Sequence, residues 1–140
     1  MRSRVRWHCR QASGQALLEF AGIVTTFLLV IFTIIEMGLA LYSYNTICEA
    51  SREAARYAAI HSPTSANPAA NATIQQVAIN AASGVTLASS NVTVSWPHDP
   101  NMPAYNDAQI QITYNYSLSI PFIAPVTLPL TSTSRMLVSQ

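Results

Sequence analysis

The feature that most constrains this 140-residue chain is a long apolar run, residues 20–42, which follows a single carboxylate, Glu19. After Glu19 no charged residue occurs until Glu36, and nearly all the residues between them favour a helix. About 20 such residues are enough to cross a bilayer. Because a charge is costly in hydrocarbon, an ionisable residue at the start of such a segment is a candidate functional residue. The run therefore predicts a membrane-spanning helix with Glu19 near its start.

The charged residues of the chain are few and unevenly placed. Only 9% of the residues are charged, compared with about 25% in soluble domains, and the net charge of +1 argues against a strongly charged partner such as nucleic acid. The positive-inside rule puts the N-terminus in the cytoplasm and the chain after Tyr42 outside, because four arginines precede the run: Arg2, Arg4, Arg6 and Arg10. The run is longer than a signal-peptide core and no small-residue cleavage site follows it, so we expect a retained helix.

The helix is predicted to continue far beyond the apolar run. Residues 15–60 contain no proline and only two glycines, Gly22 and Gly38. Past Tyr42 the pattern becomes amphipathic, with apolar or small residues at spacings of three and four: Ile47, Ala50, Ala54, Tyr57 and Ala58. The polar, proline-containing segment 61–68 predicts the end of the helix.

The remaining residues predict a small head. Helical periodicity favours a second helix over about 70–82, and alternating apolar residues predict strands over 92–96 and 110–117. A last strand is predicted at 130–138, after a stretch that we expect three prolines to break up: Pro121, Pro125 and Pro129. The expected fold class is α+β, with a long N-terminal membrane-spanning helix and a head made of a second helix and an antiparallel sheet of about three strands.

Two blocks of residues carry a resemblance to a known family. The first reads Gly14-Gln15-Ala16-Leu17-Leu18-Glu19-Phe20, similar to the prepilin pattern in which cleavage follows Gly and Glu is the fifth mature residue. The second comprises IEMGLALY at 35–42 and ASREAARYA at 50–58. Together these blocks resemble the TadE-like minor pilins and pseudopilins of the Tad (tight adherence, Flp-type, type IVb) pilus system.

The resemblance implies a processing site between Gly14 and Gln15. Residues 1–14 would be a basic leader that a prepilin peptidase removes, leaving a long helix at 15–61 and an extracytoplasmic head at 62–140. Cleavage would remove four arginines and change the formal net charge from +1 to −3.

Glu19 has two interpretations in a processed chain. Cleavage would create an ammonium at Gln15, one helical turn away, with which Glu19, next to Phe20, could pair in its own or a neighbouring subunit. The alternative is a carboxylate that reaches up to the lipid headgroups.

The function implied by the resemblance is structural. We expect a minor pilin or pseudopilin of the bacterial inner membrane, whose partners are the prepilin peptidase, other pilins, the inner-membrane assembly platform and membrane lipid. We expect no enzymatic activity, cofactor, metal, nucleic acid or small-molecule substrate. Two rivals stay open: a secretion-platform scaffold that never enters the filament, and a tethered extracytoplasmic binding module with an intact leader.

Several further polar residues have two interpretations. Glu36 is either an interfacial carboxylate or, with Gly38, part of a helix–helix contact. The charged block of the second motif is either a solvated helix face or a subunit contact: Arg52, Glu53, Arg56 and Tyr57.

The remaining titratable residues show no ligand or catalytic spacing. The histidines and aspartates considered are His61, His98, Asp99 and Asp107. Cys9 and Cys48 would lie on opposite sides of the membrane, so we expect no disulfide between them.

Overall fold

The computed structural model describes residues 11–97 and 107–138, and these residues form two helices and three strands with a single 3-10 turn. The helices are α1 (Gln11–Ile60) and α2 (Asn71–Ala81), and the strands are β1 (Val92–Ser95), β2 (Asp107–Leu118) and β3 (Val126–Leu137). The predicted α+β class, with a long apolar N-terminal helix, a short second helix and a three-stranded antiparallel sheet, is confirmed.

Helix α1 begins earlier than predicted and ends where predicted. It starts at Gln11 rather than Gln15, because a helical glycine such as Gly14 costs only about 1 kcal/mol and no proline intervenes. Its last helical bond is donated by His61 N–H to the Tyr57 carbonyl, at 3.0 Å.

Threonines inside the apolar half of α1 satisfy their hydroxyl groups within the helix. Each donates to the carbonyl four residues earlier: Thr25 to Ala21 at 2.7 Å, Thr26 to Gly22 at 3.0 Å and Thr33 to Leu29 at 2.8 Å. Local side chain-to-backbone bonds of this kind remove the need for water, so these residues are compatible with a hydrocarbon environment.

Helix α2 lies close to its predicted bounds and ends in a turn that needs glycine. Gly84 has a φ of +82°, a region that residues with a Cβ rarely adopt. A Cβ at this position would also lie 3.0 Å from the Tyr42 hydroxyl oxygen. That hydroxyl donates to the Ser83 carbonyl at 3.2 Å, which ties the turn to α1.

The sheet has the order β1–β2–β3, with both pairs antiparallel. Strand β3 begins at Val126, earlier than the predicted Leu130, and it includes Pro129 paired with Asn115. The expectation that Pro129 breaks the chain's extended structure is therefore wrong. Because β3 is an edge strand, a proline can be accommodated with its missing N–H on the unpaired side.

The core of the head is built on a face of small residues in the second half of α1. Ala50, Ala54, Ala55 and Ala58 are fully buried, and so is Ile47 beside them. Short side chains allow the sheet and α2 to approach the helix backbone closely, where they contribute larger side chains that are also fully buried: Ile74, Ile110 and Ile112. The amphipathic pattern predicted for this half is confirmed.

The β2–β3 hairpin lies alongside α1 and points towards the helix N-terminus. At the second half of α1, the Ser51 and Ser132 hydroxyl oxygens are 3.0 Å apart in a buried contact. Further along, the Tyr116 hydroxyl donates to Glu36 at 2.9 Å. The loop that joins the two strands, residues 119–125, reaches the apolar half of α1.

Candidate functional site

The residues of the predicted processing motif lie together at the start of α1. Gly14, Gln15, Glu19 and Phe20 are all exposed. The Gln15 side-chain amide donates to the Glu19 carboxylate at 3.2 Å, across one helical turn. The spacing that the sequence predicted therefore brings Gln15 and Glu19 within hydrogen-bonding reach.

Gly14 has no packing role among the described residues. A Cβ built on Gly14 meets no described atom within 4 Å, and the same holds for Gly22 and Gly38. Glycine inside a helix is less favourable than alanine by about 1 kcal/mol. The described residues therefore give no packing reason for glycine at position 14.

Most of the apolar half of α1 is exposed. Its most apolar 18-residue window contains no buried residue, and side chains such as Leu17, Phe20, Phe27 and Ile34 are more than 60% exposed. Exposed apolar surfaces of this size are typical of sites that contact a membrane or another protein. By length and composition, α1 is the one candidate membrane-spanning helix among the described residues.

Glu36 has its hydrogen-bond partner within the chain. Its carboxylate is half-buried and accepts the 2.9 Å hydrogen bond from Tyr116 of β2. The pKa of the Tyr116 phenol is raised above its usual value, mainly by burial and to a smaller extent by this hydrogen bond. Gly38 remains open on the surface, whereas Ala40 is buried.

The charged block of α1 lies on an exposed face. The Arg52 and Glu49 side chains are 3.0 Å apart, those of Arg56 and Glu53 are 4.0 Å apart, and all four are well over half exposed. Exposed ion pairs of this type contribute about 0–1 kcal/mol. A solvated face accounts for this arrangement, and the surface is also open to a neighbouring subunit.

Tyr57 is separated from that exposed face. It is half-buried against the core, and its ring stacks on His61 with centroids 4.2 Å apart. The His61 Nδ1–H donates to the Tyr57 carbonyl at 3.1 Å, which fixes the ring at the end of α1.

The described residues contain no group of three His, Cys, Asp or Glu side chains that could hold a metal ion. Cys48 is a free, half-buried thiol on α1. The positions considered from sequence that lie outside the described residues are Cys9, His98 and Asp99, together with residues 1–10 of the predicted leader.

The hairpin loop, residues 119–125, is a feature that sequence reasoning did not identify. Phe122 in this loop is 92% exposed and has a φ of +66°, an unusual conformation for a bulky residue. With α1 the loop encloses a cleft of about 180 Å³ lined by Thr25, Leu28, Leu29, Phe32, Pro121 and Phe122. The sequence does indicate that this hairpin is uncharged, since no charged residue or histidine occurs between Asp107 and Arg135.

A comparison with known protein families gives a match over the first part of the chain. The family model described as TadE-like protein matches residues 14–56, which include the predicted processing motif, the apolar run and most of the charged block. No curated protein and no solved structure matches the chain significantly. The resemblance inferred from the two sequence blocks is confirmed over residues 14–56, where this chain is similar to the TadE-like proteins.

Proposed function

We propose that this protein is a minor pilin or pseudopilin of a Tad-type pilus, with a structural rather than an enzymatic role. The observation that carries the proposal is the largely exposed apolar half of α1, which follows directly on Gly14 and Glu19 in a TadE-like segment. Such a helix can stand in the bacterial inner membrane with its N-terminus in the cytoplasm and its head outside.

Cleavage after Gly14 would give a role to Gly14, at the cleavage site, and to Glu19, as the partner of the new N-terminus. Removal of residues 1–14 leaves a helix at 15–61 with the head at 62–140, and it creates an ammonium at Gln15. We expect that ammonium to pair with Glu19, in the same or an adjacent subunit, because the Glu19 carboxylate already reaches back one helical turn to the Gln15 side-chain amide, at 3.2 Å. If an assembly buries this pair, losing one partner costs about 3–5 kcal/mol.

Assembly would then replace lipid by other helices around α1. Because lipid and leucine are similarly apolar, close packing and specific polar pairs must favour the exchange. The open surfaces at Gly22 and Gly38 allow a neighbouring helix to approach closely. The proposed partners are accordingly a prepilin peptidase, other pilins, the assembly platform and membrane lipid.

The test is the mass of the protein extracted from membranes. We expect the wild-type chain to lack residues 1–14. Gly14→Ala should retain partial processing, whereas Gly14→Val should block it, because a β-branched side chain beside the scissile bond hinders close approach of the peptidase.

Gly22→Val is the matched control, since it places the same side chain on another open position of α1. This variant should be processed normally. Recovery of wild-type protein with Met1 intact would refute processing and favour a tethered binding module. Mass spectrometry of sheared pili then distinguishes a filament subunit from a scaffold that stays in the membrane.

A further inference from the structure

The hairpin loop lies at the level of the most apolar part of α1. Its Pro121 and Phe122 border the same cleft as four helix residues: Thr25, Leu28, Leu29 and Phe32. The loop therefore extends well below Tyr42, where the sequence placed the outer end of the membrane-spanning segment.

The depth of this contact follows from the charge-free part of α1. Residues 20–35 carry no charge, so they are the part of α1 best suited to hydrocarbon if α1 spans the membrane. A span of about 20 residues that covers them ends at about residue 35 to 39. At 1.5 Å per residue in an upright helix, the middle of residues 25–32 is then roughly 10 to 16 Å below the outer boundary.

The chemistry of the loop is suited to that depth. Its sequence is SIPFIAP, and its side chains include Phe122 at 92% and Ile123 at 55% exposure, with Val126 beyond it at 54%. A water-exposed phenylalanine and isoleucine in one short loop form an apolar patch without a protein partner among the described residues.

Three of the seven residues of the loop have no backbone N–H group that needs water. Pro121 and Pro125 lack an N–H group, and the Ile123 N–H donates to the Ile120 carbonyl at 3.1 Å. Since an unsatisfied backbone donor is costly in hydrocarbon, these features lower the cost of placing an irregular loop there.

The Tyr116–Glu36 pair lies where the hairpin would enter the membrane. Glu36 is at or just inside the outer end of the span, and its carboxylate accepts a hydrogen bond from Tyr116. Tyrosine is enriched at membrane interfaces because its ring is apolar and its hydroxyl polar. The pair thus joins hairpin and helix at the interface.

We propose that the hairpin loop, residues 119–125, is embedded in the outer leaflet of the membrane that α1 spans, with Phe122 and Ile123 contacting acyl chains. The inference rests on the proposed membrane placement of α1. It adds a second point of membrane contact, which would fix the rotation and height of the head above the bilayer. For the loop to contact other pilins, it would first have to leave lipid.

Depth-dependent fluorescence quenching tests the proposal. The full-length protein, with both native tryptophans replaced by phenylalanine, is reconstituted in phospholipid vesicles that contain brominated acyl chains. Single tryptophans are introduced by Phe122→Trp, by Phe27→Trp on the exposed face of α1, and by Thr133→Trp. Thr133 is exposed and follows Ser132, which contacts Ser51 roughly 18 to 24 Å beyond the outer boundary.

We expect the F122W and F27W proteins to lose fluorescence to a similar extent, and T133W to lose none. Quenching of F27W alone would overturn the embedded loop and leave the membrane-spanning helix intact. No quenching of any variant would overturn the proposed membrane placement as well. Protection of F122W from both brominated lipid and aqueous acrylamide would assign the loop to a contact between copies and also refute the proposal.

Discussion

Replacement of Tyr116 by phenylalanine removes one hydroxyl that holds the β2–β3 hairpin against α1. The bond to the Glu36 carboxylate is 2.9 Å long. Hydrogen bonds to charged groups contribute about 1.5–3 kcal/mol. Because Tyr116 and Glu36 are only half-buried and water can replace the partner, we expect a loss of about 1 kcal/mol. For a head of this size that corresponds to a fall in Tm of about 4–8 °C.

A double-mutant cycle isolates this bond. The free energy of unfolding is measured in detergent micelles by near-UV circular dichroism for wild type, Tyr116→Phe, Glu36→Ala and the double variant. We expect a coupling energy of about 1 kcal/mol. Glu53→Ala is the matched control for loss of a carboxylate on α1, and it should change stability by less than about 0.5 kcal/mol because Glu53 is exposed. Additive effects of the Tyr116 and Glu36 substitutions would refute the reasoning.

The same pair predicts a pH dependence at the alkaline end. The raised pKa of Tyr116 means that folding favours the protonated phenol. Its stabilising contribution is therefore complete below the unfolded-state value of about 10 and is lost as the pH rises through the folded-state pKa. The stability difference between wild type and Tyr116→Phe should be constant at neutral pH and should shrink above about pH 10. A difference that grows with alkaline pH would contradict this assignment.

Three further variants test other parts of the structure. Ile110→Ala should lower the free energy of unfolding in urea by about 2–5 kcal/mol and Ile110→Val by only about 0.5–1.5, since the side chain is fully buried; equal losses would argue against a packed core there. Gly84→Ala should cost about 1–2 kcal/mol because of its positive φ, whereas Gly38→Ala, at an open helical position, should be neutral or stabilising, and the reverse order would be inconsistent with the turn. Glu19→Ala should be processed normally yet be depleted from pili, with Glu49→Ala as an exposed control; unchanged incorporation of the Glu19 variant would exclude the pairing role.

The elements that could be predicted from sequence are those with a strong local signal. The periodic small residues Ala50, Ala54 and Ala58 defined the buried face of α1, and alternation around Ile110 and Ile112 defined the interior face of β2. Such patterns depend only on helix and strand geometry, which is the same wherever the element lies. The spacing of Gln15 and Glu19 is of the same kind.

Pro129 illustrates a prediction that local signals could not support. Proline is excluded from central strands but tolerated on an edge, and whether β3 is an edge depends on strand order. The Tyr116–Glu36 bond likewise joins residues that are 80 positions apart in the chain. Neither residue type nor spacing indicates such a partner.

The sequence by itself determined the long helix, its apolar half, the TadE-like motif and the α+β order of elements. Each of these follows from the spacing of apolar residues or from a short residue motif. Only the tertiary structure decided that the β2–β3 hairpin lies along α1 and brings the loop 119–125 to the level of residues 25–32. The physical reason is that the position of the hairpin follows from how its strands pack across the small-residue face of α1. That packing depends on contacts between residues distant in sequence, and no local pattern encodes them.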